Sequence, residues 1–249
     1  MAIAFVTTAG STTGGSPASV TLSNVAAGTD PNNILFACLR ANIGDNLTGV
    51  TWNGSAMTQI YKYTGTIGFG ALYIYATLAP SGTHDIVASQ NGSSSRLDIS
   101  AVVYSGAKQS LTIDSETNTE GTAVASLANS TTVVAANCWL VSFFYCGNLI
   151  TSIAGDATTQ RVNNIGGVCN STDGTTVLYD SNGTVSTGSR SSTLTPCLNT
   201  NMGSMLFSFA PAVAEGPANL KSLDTNVKAN IKSYNGNLLA NIKSINTNP

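Results

Sequence analysis

The sequence predicts an all-β protein: an antiparallel two-sheet sandwich of jelly-roll type with a short C-terminal repeat tail. Three observations predict it. Apolar segments of strand length recur about every fifteen residues, too short and too closely set for a helical core. The intervals between them are filled with Gly, Asn, Ser and Thr, including 24 Gly in 249 residues, the residues that satisfy tight turns. Before the tail, no stretch shows a convincing helical period.

Taken in order, Ala2 to Val6 reads as a first strand, followed by a Gly/Ser/Thr loop as far as Pro17. Ser19 to Ser23 alternates and reads as a second strand. Asn33 to Arg40 is a continuous apolar run, the pattern of a strand covered on both faces. Val50-Thr-Trp52, Asn53-Gly54 and Ser55-Ala-Met57 form the clearest local signal, a hairpin with Asn-Gly where positive φ is required. Between Phe69 and Leu78, Leu72, Ile74 and Ala76 fall on one side and Tyr73, Tyr75 and Thr77 on the other, so both faces expect cover. Pro80-Ser-Gly82 breaks this run, and strands follow at His84 to Ser89 and Leu97 to Tyr104. Thr122 to Leu127 and Thr131 to Ala135 are weaker candidates. Cys138 to Cys146 is the strongest, with Trp139, Val141, Phe143 and Tyr145 on one face. From Gly147 to Arg190 loops are expected, with strands near Gln160 to Val162 and Thr175 to Tyr179. Ser204 to Ala210 closes the body, and Pro211 to Pro217 reads as a linker. The boundaries are therefore a sandwich over 1–212 and a linker with an attachment or assembly tail over 213–249.

Composition narrows the function. Charged residues make up 9% and the formal net charge is -2, which gives no electrostatic footprint for nucleic acid or an anionic membrane. Met1-Ala-Ile-Ala-Phe-Val-Thr lacks the basic start and long apolar run of a signal peptide, and no run is long enough for a membrane span. An extracellular role would then follow assembly in a cytoplasm and release by lysis. Of five cysteines, Cys38 and Cys138 lie in apolar runs and read as buried thiols. Cys169 and Cys197 lie in polar surroundings where a bridge is possible.

No constellation supports catalysis, a cofactor or a metal. The acids Asp85, Asp98, Asp114, Glu116 and Glu120 are scattered without a motif, and read as caps and turns rather than a glycosidase pair. His84 is the single histidine and no Gly-x-Ser-x-Gly elbow accompanies it. Trp52, Tyr61 and Tyr63 are the candidate ligand-binding residues, a sugar-stacking platform near the first hairpin. Their alternating positions also suit a core or subunit interface.

The tail repeats. Asn219, Asn230 and Asn241 open successive copies of an eleven-residue unit, the second reading Asn-Ile-Lys-Ser-Tyr-Asn-Gly-Asn-Leu-Leu-Ala. Its apolar residues, the candidate assembly residues, are Leu220, Leu223, Val227, Ile231, Tyr234, Leu238, Ile242 and Ile245. Their three-four-four spacing fits a helix with a right-handed supercoil. The many Asn, Ser and Thr, and the Asn235-Gly236 turn signal, favour short strands and turns instead. A disordered low-complexity tail is the remaining alternative. In either ordered form the apolar side is too thin to fold alone, so a partner surface is implied.

Several stretches together resemble a widespread group of phage and prophage virion-surface proteins. They are Met1-Ala-Ile-Ala-Phe5, Asn33-Ile-Leu-Phe36, Leu47-Thr-Gly-Val-Thr-Trp-Asn-Gly-Ser-Ala-Met57, Leu72-Tyr-Ile-Tyr-Ala-Thr-Leu-Ala-Pro80 and Asn137-Cys-Trp-Leu-Val141. The similarity runs to about Ala212, and the Asn-Ile-Lys-Ser-x-Asn-Gly repeats look like the C-terminal tails of such proteins. The resemblance implies a β-sandwich displayed on a capsid or tail. The expectation is a non-enzymatic structural protein of a tailed-phage virion, a head decoration or a fibre, located at the virion surface. Its partners would be other virion proteins or sister chains in a homo-oligomer, joined through the tail. A carbohydrate- or host-receptor-binding module, taking a host surface glycan, is the alternative.

Overall fold

A computed structural model describes residues 1–14, 18–41, 47–66, 70–91, 96–164 and 174–213, together with the backbone of 233–234 and 237–238. The chain divides into two compact units, Met1–Ala212 and Val213–Pro249. Among the described residues there are only strands, turns and bends, and every ladder is antiparallel.

The first half of the body contains β1 (Ala4–Gly14), β2 (Ser19–Gly28), β3 (Ile34–Ala41), β4 (Leu47–Trp52), β5 (Ser55–Ala56), β6 (Thr58–Thr64), β7 (Ala71–Leu78), β8 (Gly82–Gln90) and β9 (Arg96–Ser105). They form a five-stranded sheet, β1-β9-β3-β7-β6, and a four-stranded sheet, β2-β8-β4-β5. The second half contains β10 (Ser115–Val124), β11 (Leu127–Val133), β12 (Trp139–Cys146), β13 (Ile150–Gly155), β14 (Thr159–Asn164), β15 (Thr175–Asp180), β16 (Gly188–Pro196) and β17 (Thr200–Phe209). Its sheets run β10-β17-β12-β15-β14 and β11-β16-β13.

The antiparallel sandwich expected from the sequence is therefore present, and it is built twice. Setting β10 on β1, β12 on β3, β15 on β7 and β17 on β9 makes the two five-stranded sheets identical in order. The register agrees: Phe36 pairs with Ala76 and Val102, and Val141 pairs with Asp180 and Phe207. β6 and β14 even carry their bulges at the same place, after Gln59 and after Gln160. Asn53 N donates to the Asp85 carbonyl at 3.1 Å, and Asp156 N donates to the Ser191 carbonyl at 2.7 Å, which matches the outer sheets as well. The halves differ mainly at β5, which has no counterpart in the second outer sheet.

The two five-stranded sheets face each other. Phe36 meets Phe207 and Phe209 with ring centroids 5.1 and 5.2 Å apart, and Tyr104 meets Trp139 at 5.4 Å. Ile34, Cys38, Leu72 and Ile74 join Val141, Phe143 and Met205 in the same cluster. The opposite faces of these sheets pack under the outer sheets: Leu35, Leu39, Tyr73 and Ile99 against Val20, Leu22 and Trp52 in the first half, Phe144 and Val177 against Leu127 and Leu194 in the second. This explains the continuous apolar runs. Every residue of β3 is buried because one face lies in its own sandwich and the other against the second sandwich. β2 and β11 belong to outer sheets and alternate between buried and exposed.

Some expectations fail for one reason. The loop expected from residue 7 towards Pro17 is strand as far as Gly14, paired residue by residue with β9 down to Arg96. β10 is a strand over residues that carry no apolar pattern. β13 and the start of β16 fall in the region expected to be largely loop, and the rest of β16 falls where no strand is expected. All are edge strands or strands of the thin outer sheet, where the backbone ladder and not side-chain burial fixes the conformation. The Asn53-Gly54 turn is as expected, with φ of 49° and 75°. Where one half passes to the next, Gly106 has a φ of 66°, and a Cβ there would collide with the Ala2 carbonyl. Its own carbonyl accepts from Ala212 N at 2.8 Å, which ties the end of the body to the junction.

In the second unit, Ser233–Tyr234 pairs antiparallel with Asn237–Leu238 across Asn235-Gly236. Asn235 and Gly236, where the turn is expected, lie outside the described residues. Leu220, Leu223, Val227, Ile231, Ile242 and Ile245 lie outside the described residues, as do the side chains of Tyr234 and Leu238.

Candidate functional site

The candidate platform is not assembled as one surface. Trp52 is 7% exposed and packs into the first core, with its ring edge-on to His84 at 5.4 Å. Tyr73 and Tyr75 are buried in the same core. Tyr61 and Tyr63 lie elsewhere, half-buried on the edge strand β6. Above Trp52 a shallow depression of 460 Å³ opens between the Asn53-Gly54 turn and Thr83 to Val87 on β8. At the matching place in the second half Arg190 Nη1 lies 3.3 Å from Asp156 Oδ1.

Asp85, Asp98, Asp114 and Glu120, among the acids weighed for catalysis, have structural partners. Asp85 Oδ1 accepts from Asn24 N at 2.9 Å, which holds the left-handed residue of the β2 bulge. Asp114 accepts from Val134 N, Ala135 N and the Ser208 hydroxyl at 2.8–2.9 Å. Asp98, fully buried, lies 2.7 Å from Arg96 Nε and 3.4 Å from Arg40 Nη1. Arg40 in turn stacks 3.9 Å from the centroid of Tyr145 across the halves. Burial pulls its guanidinium below the usual value, opposed by Tyr145 and Asp98. Cys38, Cys138 and Cys146 are buried free thiols, and burial pushes Cys138 up to about 12. Cys197 is disulfide-bonded; Cys169, the partner the sequence offers it, lies outside the described residues.

The features that distinguish one side of the body from the other lie at the two seams where edge strands of the halves meet. At the first seam β6 meets β10. Asn118 Nδ2 donates to the Tyr61 phenol at 2.6 Å. Thr66 N donates to Glu120 Oε2 at 3.0 Å, and the Thr66 hydroxyl donates to Oε1. Burial, and then the Glu120 carboxylate, push the Tyr63 phenol up to about 12. A tyrosine whose proton is held to higher pH in the fold than in the unfolded chain stabilises the fold fully below the unfolded value of 10 and loses that contribution as the pH rises through about 12. Tyr63→Phe should therefore make the urea midpoint fall less steeply between pH 10 and 12 than it does in the parent. An unchanged slope would show that Tyr63 titrates normally.

At the second seam β1 meets β14. Arg161 lies 3.9 Å over the Phe5 ring, with its Nε donating to Asp180 Oδ2 and its Nη2 to Asn182 Oδ1, both at 2.7 Å. Asp180 is fully buried and also accepts from the Tyr104 hydroxyl at 2.8 Å. Burial, and then the Asp180 charge, raise the Tyr104 phenol well above its ordinary value, so it stays a donor. Beside this group is a cleft of 290 Å³ lined by Thr8, Ala9, Gly10, Arg161, Val162 and Asn163. The duplication explains the opening. Tyr61 pairs with Ile74 and Val162 with Leu178, equivalent positions; Asn118 pairs with Met205 and Gly10 with Ser100, likewise equivalent. Where the first seam holds a tyrosine bonded to an asparagine, the second has valine and glycine.

Of the seam residues, Tyr61, Tyr63 and Glu120 are candidates on sequence grounds, whereas Thr8, Gly10, Arg161 and Asn163 are not. The one visible signal is Ala56-Met-Thr-Gln59 beside Ala157-Thr-Thr-Gln160, a short likeness that aligns Tyr61 with Val162 once the β6 and β14 bulges are known. Among the described residues no cluster of three or more metal-ligating side chains occurs, and no helix is long and apolar enough to cross a membrane. No family model, no curated protein and no solved structure matches the chain.

Proposed function

We propose that this chain is a non-enzymatic structural protein of a tailed-phage particle, a head decoration or fibre. The double sandwich is displayed outward at the virion surface, and the repeat tail docks on the particle or joins sister chains. The observation that carries this reading is how the body uses its apolar faces. Its two broad five-stranded sheets are covered on both sides within one chain, so the apolar residues suited to assembly are those of the tail, a separate unit in which Ser233–Tyr234 pairs with Asn237–Leu238. The structural partners of Asp85, Asp98, Asp114 and Glu120 support a role without chemistry.

The test is the mass in solution of the full chain against a version ending at Ala212, with binding of both to purified particles. A full chain that is trimeric or larger beside a monomeric body, or that binds particles only with its tail, is the expected result. Two monomers that ignore particles would end this reading and leave host-glycan binding, the alternative, to stand on the body alone.

A further inference from the structure

We infer that the outer sheet of the second half, β11-β16-β13, is a cover that lifts from β12, β15 and β17 as a unit while the first sandwich stays closed. This goes beyond the structural role and does not rest on the tail.

The duplication supplies the comparison. In the first half the outer sheet sets Val20, Leu22, Ile86, Ala88, Val50 and Trp52 on the middle sheet as one apolar interior. In the second half the inward positions of β11 are Leu127, Asn129, Thr131 and Val133, so the two middle ones are polar. Leu127 and Leu194 pack on Phe144 and Val177, and Val133 packs apart from them on Leu140 and Leu206. A buried polar belt divides the two groups: Asn129, Thr131 and Ser192 from the cover, Ser142 and Ser204 from the sheet beneath it. The first half has apolar residues at the same places. With Asp85 matched to Ser191 by the amides they receive, Ile86 corresponds to Ser192, Leu22 to Asn129 and Trp52 to Gly155. With Phe36 matched to Val141, Ala37 corresponds to Ser142 and Ile99 to Ser204.

Apolar burial is what holds one sheet on another, and here much of it is exchanged for groups that water satisfies as well. Asn129 Nδ2 donates to Ser204 Oγ at 3.2 Å and to the Thr117 carbonyl at 3.4 Å, bonds that water replaces on opening. Ser142 Oγ is buried with no hydrogen-bond partner among the described residues, a cost of the closed state that opening relieves. The cover is also narrower, because β13 lacks the extra strand that β5 adds beside β4. Fewer apolar contacts and a wet belt define a unit that opens below the global unfolding free energy. Two buried free thiols report on it. Cys146 lies under the cover with Leu127 and Leu194, whereas Cys38 lies in the core between the halves.

The experiment is iodoacetamide labelling of the native full chain without reductant, read by peptide mass spectrometry, with backbone hydrogen exchange measured in parallel. Alkylation joins sulfur to the acetamide carbon with loss of iodide and the thiol proton, and needs the thiol exposed. Cys197, being disulfide-bonded, stays silent. Cys146 should label at least about tenfold faster than Cys38, and amides of β11, β13 and β16 should share protection factors at least about tenfold below those of β2, β4 and β8. Ser142→Ala, which copies Ala37 and removes the unpartnered hydroxyl, should slow Cys146 labelling about tenfold, and Leu194→Ala should speed it by at least as much. Neither should change Cys38. Ser142→Ala keeps the test valid if the larger truncation disturbs folding. Equal labelling of the two thiols overturns the inference, and so does a Ser142→Ala variant that labels as the parent does. Fast Cys146 labelling with both outer sheets equally protected is fraying at the end of β12, and overturns it too. Each of these failures leaves tail-dependent assembly, and with it the structural role, to its own test.

Discussion

Replacing Asp98 with alanine is expected to lower the unfolding free energy by about 3–5 kcal/mol, the usual cost of stranding a buried charge. Asp98 is fully buried between Arg96 and Arg40, and Arg40 is itself only 2% exposed. Removing the carboxylate leaves two guanidinium groups facing each other in a medium that solvates neither well. Arg40→Met in the same background should recover part of the loss, because it takes away one of the stranded charges and keeps its packing volume. Urea unfolding of the single and double variants measures this. A loss below about 1 kcal/mol would mean that water reaches the cluster and screens it.

The second expectation concerns the two tryptophans, which fall one to each half: Trp52 under the first outer sheet, Trp139 at the shared core. If the apposed five-stranded sheets couple the halves, Trp52→Phe and Trp139→Phe variants, each reporting from the remaining indole, should unfold at the same urea midpoint. Phe36→Ala should change this. Phe36 is fully buried and touches Tyr104, Phe207 and Phe209, so its truncation should cost about 3–5 kcal/mol. The cost falls on the surface between the halves, and the two midpoints should separate. Coincident transitions in the truncated protein would show that the halves are held together by something other than this core.

How much of this could be read from residues alone follows from where each strand lies. β3, β7, β9, β12 and β17 lie inside the two middle layers, are buried on both faces over most of their length, and show in the sequence as largely apolar runs. The Asn53-Gly54 hairpin is legible because its backbone conformation demands those residues. β1 beyond Val6, β10, β13 and β16 are not legible, since their side chains are small or polar and their conformation comes from a neighbour distant in sequence. The duplication escaped for a related reason. Equivalent positions such as Phe36 and Val141, or Ala76 and Asp180, share a place in the ladder and nothing else. The seam cleft was still less accessible, because it consists of what is missing at Val162 and Gly10 relative to a partner seam that only the fold identifies. Trp52, Tyr61 and Tyr63 are close in sequence, but the chain carries Trp52 on β4 of the outer sheet and Tyr61 and Tyr63 on β6 of the middle sheet.

The Asn53–Ala56 hairpin, present in one copy of the sandwich and absent from the other, has a practical consequence. The backbone on either side of it is the same in both copies: a strand of the outer sheet enters, a carbonyl on the neighbouring strand receives the first amide, and a Thr-Gln pair leaves into the middle sheet. The Asp156–Ala157 junction is thus a natural graft point, a place where foreign loops can be spliced into the chain with a built-in precedent for the geometry of their ends.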